Sequence, residues 1–209
     1  MGKNGKSLAN VDITAEKVKH IDDINKLADI AANNKGDYNS RKEALDKIDD
    51  PDILNRLAKN AKDEWIQLEA AIRCDNKSML EDLLKNTKDE NIQLEIAIEL
   101  DDQIALAEIA KNGKEYFLQD IALNHIVNKS LLNDIILNSK NNEIKVEAAL
   151  KTNDMQLLKQ LGSSLENEWL RFKIASFIED KEVLRYLVAN ARDTFIQLLA
   201  EQRLQNMDI

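Results

Sequence analysis

The feature that most constrains this chain is a sequence period of 26 residues. The segment LAKNAKDEWIQLEAA at residues 57–71 returns as LLKNTKDENIQLEIA at residues 83–97. Steps of 26 from the asparagine of the first segment reach Asn34, Asn60, Asn86, Asn112, Asn138, Ser164 and Asn190. No insertion breaks this spacing over seven copies, so the sequence predicts a tandem repeat. The fold must therefore be built from stacked copies of one structural unit.

Each copy predicts two short helices, called here its first and second helix. An Asp or Asn is expected at each helix start, because its side-chain oxygen accepts from the free N–H groups of the first turn. The expected caps of the first helices are Asp50, Asn76, Asp102, Asn128, Asp154 and Asp180. Those of the second helices are Asp37, Asp63, Asp89, Glu115, Asn141, Asn167 and Asp193, with Glu115 the poorest. The asparagine column between them is expected to be left-handed and to close the first helix.

Composition favours an all-α fold, since aromatic residues are 4% of the 209 residues and there is one proline. One hairpin buries too little apolar surface to offset the entropy of ordering its residues, so the copies must stack. We therefore expect a right-handed α-solenoid of about seven 26-residue two-helix repeats, forming a single domain over residues 13–209. Residues 13–21 predict an additional helix against the first copy, and residues 1–12 predict a flexible N-terminus.

The pattern L..LAKN..D..IQLEAAI...D covers about residues 22–205 and resembles bacterial HEAT-like repeats and the leucine-rich-variant repeat, which are α-solenoids. Those families usually carry Arg after the aliphatic residue of the second helix. Here that column holds Arg41, Gln67, Gln93, Gln119, Lys145, Arg171 and Gln197. The cysteine cluster of some leucine-rich-variant proteins is missing from the sequence. The resemblance implies a scaffold for binding other macromolecules, and nothing narrower.

The net charge of −9 disfavours a duplex-DNA binder, because phosphate neutralisation needs clustered Lys and Arg. The single cysteine, Cys74, excludes an intramolecular disulfide and fits a reducing compartment. The sequence contains neither an apolar run of about eighteen residues nor a signal peptide. A cytoplasmic location is therefore expected.

Catalysis and metal binding are not expected. MGKNGKS at residues 1–7 lacks the glycine spacing of a phosphate-binding loop. The only histidines, His20 and His125, lie about four repeats apart, too far to share a metal. Cys74 falls in an otherwise aliphatic column and is expected to be a buried, inert thiol. We expect a non-enzymatic protein without catalytic residues, metal or cofactor.

The predicted interaction surface is a stripe five, nine and thirteen residues after each asparagine. Much of this stripe pairs Glu with Lys or Arg and is expected to be solvated, but aromatic residues interrupt it. Exposed aromatic residues in a row are typical of binding surfaces; packing at the edge of the core is the alternative. The predicted protein-binding residues are Trp65, Glu69, Phe117, Ile121, Trp169, Phe177, Phe195 and Leu199.

Three polar columns have structural interpretations. The asparagine column is expected to cap helices, with an armadillo-like peptide-binding ladder as the alternative. The column from Arg41 to Gln197 is expected to bind the Asp caps of adjacent copies. His125 falls in a charged column with Lys47, Arg73, Glu99, Lys151 and Arg203, and this column is expected to be solvated.

We therefore expect a protein- or peptide-binding scaffold whose partner has basic or apolar segments, rather than nucleic acid or membrane. Two alternatives are a HEAT-like enzyme of the bilin-lyase or DNA-glycosylase type and a structural self-assembling repeat protein. Near the C-terminus, little sequence is left to cover four apolar residues. These residues are Phe195, Leu198, Leu199 and Leu204. Either all four side chains turn inward, or this end of the chain packs on another molecule, such as a second copy in a homodimer.

Overall fold

A computed structural model describes residues 13–33 and 36–207, and these form fifteen α-helices and no β-strand. The predicted all-α class is confirmed. The predicted flexible segment 1–12, the loop motif inside it and the repeat position Asn34 lie outside the described residues. The helices are α1 Ala15–Lys19, α2 Ile24–Ala32, α3 Tyr38–Asp46, α4 Pro51–Asn60, α5 Glu64–Arg73, α6 Lys77–Asn86, α7 Glu90–Glu99, α8 Gln103–Asn112, α9 Tyr116–His125, α10 Lys129–Asn138, α11 Asn142–Thr152, α12 Met155–Ser164, α13 Glu168–Phe177, α14 Lys181–Asn190 and α15 Thr194–Met207.

The predicted helix caps are formed at the expected residues. All six first-helix caps from Asp50 to Asp180 accept from a backbone N–H of the first turn. The second helices are capped in the same way, except at Glu115, whose side chain makes no cap hydrogen bond. Its extra methylene carries the carboxylate past the N–H groups that Asp reaches. These bonds span two or three residues, which is why the sequence alone predicted them.

The asparagine column does not adopt the predicted left-handed conformation. Asn60, Asn86 and Asn190 are the last residues of right-handed helices, and each Nδ2 donates to the carbonyl four residues earlier. Asn112 and Asn138 instead donate to the Glu108 and Asp134 carboxylates. The column therefore ends first helices by bonding backwards along them.

The left-handed residues instead follow second helices. Asp75, Asp101, Asn153 and Glu179 have φ between 49° and 55°. Val127 occupies the same repeat position, where a β-branched side chain would be strained at positive φ. There the α9 C-cap, Ile126, is extended, and the Gln103 side-chain amide bonds the carbonyl of His125 and the N–H of Val127.

The described residues fall into two compact units, which divide between Asp101 and Asp102. In the first unit, α2 packs on α3 and α4 on α5, and the second helices α3, α5 and α7 pack in succession. Fully buried Leu45, Ile66 and Ile92 belong to its core. As expected for the additional helix, α1 packs on α3 and buries Val18 completely.

The second unit repeats this arrangement from α8 to α15. The first and second helices pair as α8 with α9, α10 with α11, α12 with α13 and α14 with α15. The second helices α9, α11, α13 and α15 also pack in succession. Leu123, Ile135 and Ile144 are fully buried between them, and Leu187 and Ile196 close the core at α14 and α15. The single domain over residues 13–209 stays a prediction.

Candidate interaction surface

Four of the eight predicted binding residues are solvent-exposed, and all four lie in the second unit. The exposed fractions are 69% for Phe117, 48% for Trp169, 46% for Phe177 and 61% for Phe195. Ile121 and Leu199 are half-buried on the same second helices. Trp65 and Glu69, in the first unit, are also half-buried. The aromatic column is thus open to solvent in the second unit and packed at the core edge in the first.

Local sequence explains how α13 and α15 present their aromatic residues. Asn167 caps α13 and Asp193 caps α15, which fixes the first turn of each helix. The residues after the aromatic side chains, Leu170 and Ile196, are buried. One residue advances about 100° around a helix, so Trp169 and Phe195 point away from the core at the same place in their helices.

Trp169 and Phe195 line a common cleft of about 840 Å³ in the second unit. Its other lining residues come from the turns before α13 and α15, from the starts of these two helices and from the later part of α14. Tyr186 of α14, 53% exposed, supplies a third aromatic wall. The Trp169 ring also contacts the Phe172 ring at a centroid distance of 5.8 Å.

Sequence reasoning missed Tyr186 because it considered only second helices. A signal existed in the repeat, since the same position is polar or charged in the five first helices from α4 to α12, although buried Ile30 occupies it in α2. Those residues are Arg56, Asp82, Glu108, Asp134 and Gln160. An aromatic residue in a polar column is a sign of an exposed contact residue.

The charged groups around the cleft are held by the backbone. Both Glu168 carboxylate oxygens accept from the Arg192 N–H, at 2.8 and 2.9 Å, and one accepts from the Asp193 N–H at 3.2 Å. The Arg171 guanidinium donates to the carbonyls of Gly162 and Leu165 and lies 5.3 Å from the centre of the Tyr186 ring. The Glu168 bonds join α13 to the turn of the next copy, whereas the Arg171 bonds join α13 to the preceding helix and turn of its own copy. Together they fix these two side chains at the cleft.

A second aromatic and acidic area surrounds α9. Phe117 is adjacent to Tyr116, which is 45% exposed. Partial burial raises the Tyr116 pKa above its ordinary value, and the negative charges of Asp120, Glu143 and Glu147 raise it further. Those carboxylates therefore lie close enough to interact electrostatically with the Tyr116 phenol. Glu147 is also paired with Lys173 of α13.

In the first unit, the predicted site residues make contacts within the protein itself. Trp65 packs against the hydrophobic core of that unit. The Glu69 carboxylate accepts from Lys42 Nζ at 2.9 Å, and this bond raises the Lys42 pKa. These two residues contribute less free surface than the sequence suggested.

The column of cations predicted to be solvated has a structural role. Arg73 donates to the carbonyls of Leu45 and Ile48 at 2.6 Å, and Lys47, Lys151 and Arg203 likewise reach carbonyls at the end of an earlier helix. Cations at a helix C-terminus satisfy the carbonyls left without intrahelical donors. Lys47, Arg73 and Arg203 are partly buried rather than fully solvated, because their acceptors lie outside their own copy, whereas Lys151 is exposed as expected. His125 is exposed, as expected.

The column from Arg41 to Gln197 was predicted to bind the caps of adjacent copies, and this is true at two positions. Arg41 pairs with Asp63 at 2.5 Å, and Gln119 accepts from Asn141 at 2.8 Å. At four other positions the side chain donates to the inter-helix turn of its own copy. Gln67, Gln93 and Gln197 donate to Ala61, Thr87 and Ala191, and Arg171 donates as described above.

Cys74 is half-buried, less than the full burial predicted, and its Sγ lies 3.6 Å from Asn55 Oδ1. Among residues 13–33 and 36–207, no group of three or more His, Cys, Asp and Glu could hold a metal ion. None of the described helices has the length and apolar character to cross a membrane. Comparison with protein-family models, curated proteins and solved structures finds no match for this chain.

Proposed function

We propose that this protein is a non-enzymatic scaffold that binds a protein or peptide through the acidic and aromatic face of its second helices. The observation that carries the proposal is the exposure of Phe117, Trp169, Phe177 and Phe195 in a chain with only 4% aromatic residues. Aromatic side chains supply much of the binding energy at protein interfaces. The proposed surface lies in the second unit.

The proposed architecture is a right-handed α-solenoid of about seven two-helix repeats of the HEAT-like type. Its support is that first helices begin at Pro51, Lys77, Gln103, Lys129, Met155 and Lys181, each 26 residues after the last. Within each unit, neighbouring helices pack in chain order. Repeats of this kind depend on stacking and offer long surfaces for binding. We place the protein in the cytoplasm, a proposal that its single cysteine supports.

The chemistry of the face favours a partner with basic or apolar segments. Tyr116, the residue before Phe117, lies near Asp120, Glu143 and Glu147, and the whole chain carries a net charge of −9. Acidic surfaces attract basic partners and repel nucleic acid backbones. Neither a cofactor nor a metal is part of the proposal.

The test is affinity capture from a lysate of the source organism with three forms of the full chain. The first is wild type and the second is Trp169→Ala/Phe195→Ala. The third, Ile104→Ala/Leu137→Ala, removes apolar residues that are even more exposed, from first helices of the same unit. We expect wild type and the control to retain a partner that the face variant loses while its circular dichroism is unchanged. Equal capture by all three forms would contradict the proposal.

Self-association through α15 is a second candidate, because this helix exposes Phe195 at 61% and Leu198 at 59%. The alternative that all its apolar residues turn inward is wrong. Sedimentation velocity at rising concentration tests self-association. We expect a monomer–dimer equilibrium that Leu198→Glu abolishes; an unchanging monomer would remove this candidate.

A further inference from the structure

The cleft lined by Trp169, Tyr186 and Phe195 combines three aromatic rings that remain open to solvent. Their exposed fractions are 48%, 53% and 61%. The volume of about 840 Å³ is within the range of sites that hold a small molecule or several side chains. An aromatic ring attracts a cation over its face, since the π system carries negative charge there. The aromatic lining of the cleft is therefore suited to binding a cation.

The molecule already holds a cation against one of these rings. The Arg171 guanidinium lies 5.3 Å from the Tyr186 centroid, while its nitrogens donate to the carbonyls of Gly162 and Leu165. Because those carbonyls fix it, this guanidinium covers one ring and leaves the rings of Trp169 and Phe195 for an incoming group.

The residues that line the cleft carry one net negative charge, from three carboxylates and two guanidinium groups. Glu166, Glu168 and Asp193 line it together with Arg171 and Arg192. Glu168 is engaged by backbone N–H groups, and one Asp193 oxygen caps α15. That leaves the exposed Glu166 carboxylate and the second Asp193 oxygen to meet a ligand. Arg192, also exposed, opposes a cation.

We infer that this cleft binds a lysine or arginine side chain of an extended segment in the partner protein. The cation lies between Trp169 and Phe195, and Glu166 and Asp193 balance its charge. Apolar residues on either side of the cation cover the exposed ring edges. This inference rests on the proposed function and specifies the chemistry of its partner.

The experiment uses the two tryptophans of the chain, Trp65 and Trp169, which lie in different units. Their indole N–H signals are followed by NMR while the full chain is titrated at low salt. The probe is the capped pentapeptide Gly-Leu-Lys-Leu-Gly, and the matched control replaces its Lys by Gln. We expect the Lys peptide to shift the Trp169 signal, to leave the Trp65 signal in place and to bind at least about threefold more tightly than the Gln peptide.

Three single substitutions test the charges. Glu166→Gln should weaken the Lys peptide about two- to fivefold, and Arg192→Gln should strengthen it by a similar factor, since exposed charge pairs contribute modestly. Glu201→Gln, an exposed α15 carboxylate outside the cleft, should leave affinity unchanged. Raising the salt concentration should reduce the effects of Glu166→Gln and Arg192→Gln.

The outcomes separate this inference from the proposed function. Equal binding of the Lys and Gln peptides at Trp169 would overturn the cation site while supporting a peptide-binding face. A Trp169 signal that neither peptide shifts would also overturn the cation site. In that case, affinity capture with the wild-type chain would still test the proposed binding face independently. Opposite responses to Glu166→Gln and Arg192→Gln would support the cation site.

Discussion

Trp65 and Trp169 occupy the same position of the repeat, five residues after Asn60 and Ser164, yet their surroundings differ. In the first unit, Trp65 is half-buried against the core, and the same column holds Asn39 and Asn91 in the adjacent second helices. In the second unit, Trp169 is 48% exposed and Phe195 follows in the next second helix. Repeat position decides where a side chain leaves its helix. The neighbours decide whether it packs or stays open for a partner.

The largest expected effect is at the position directly after each tryptophan, where the two units should behave alike. Ile66 and Leu170 are 1% and 3% exposed. Truncating either to Ala should cost about 2–5 kcal/mol of unfolding free energy, because the cavity cannot be filled. Urea denaturation followed by circular dichroism measures both. A loss below about 1 kcal/mol at one of them would show that the units differ in their cores as well as at their surfaces.

The tryptophans themselves should differ. Trp65→Ala should destabilise the protein by about 2 kcal/mol, about half the loss for a fully buried Trp. Trp169→Ala should lower the unfolding free energy by less than about 1 kcal/mol, because less of the Trp169 ring surface is buried on folding. In the single-tryptophan forms Trp65→Phe and Trp169→Phe, acrylamide should quench Trp169 more strongly. Equal quenching of the two would contradict the comparison.

The thirteenth position after the asparagine gives the next effect. Arg73→Leu removes donors from the carbonyls of Leu45 and Ile48 and should cost about 1–2 kcal/mol. Phe177 occupies this position in the second unit and is 46% exposed. Phe177→Leu should therefore change the unfolding free energy by less than about 0.5 kcal/mol. Chemical denaturation of both variants measures the two losses of unfolding free energy. Equal losses would contradict the prediction.

A smaller gain is expected at the one second-helix cap that is not formed. Glu115→Asp in the second unit copies Asp63 and Asp89 of the first, and it should stabilise the protein by up to about 1 kcal/mol. Glu115→Gln is the control, with no gain expected. The midpoint of thermal unfolding is a sufficient readout, and a drop for the Asp variant would argue against the cap geometry.

The smallest effect concerns acid. Hydrogen bonds from the Asn91 side chain and backbone hold the Asp89 pKa below its ordinary value of 3.8. A carboxylate with a depressed folded pKa contributes stability above the unfolded pKa, and this contribution is lost as pH falls through the folded pKa. Asp89→Asn keeps a good cap residue and should flatten the decline in stability below about pH 4. An unchanged acid profile would show that Asp89 does not contribute to it.

The features that sequence predicted well are those made within a few residues. The predicted Asp and Asn caps formed, because each bond joins a side chain to an N–H two or three positions away. Ile66, Ile92 and Leu170 share one position of the 26-residue repeat, and all three are buried. The left-handed asparagine failed because the residue could satisfy its amide by bonding back along its own helix, as Asn60 does.

The amino-acid sequence by itself determined the helices, their ends and the side chains that face the core, because these depend on local hydrogen bonds and apolar spacing. Only the tertiary structure decided that Arg73 binds carbonyls of an earlier helix and that Trp65 packs while Trp169 is exposed. It also brought Tyr186, from a first helix, into the cleft with Trp169 and Phe195. Burial and long-range bonding depend on which surfaces the neighbouring helices supply, and no single copy of the repeat contains that information.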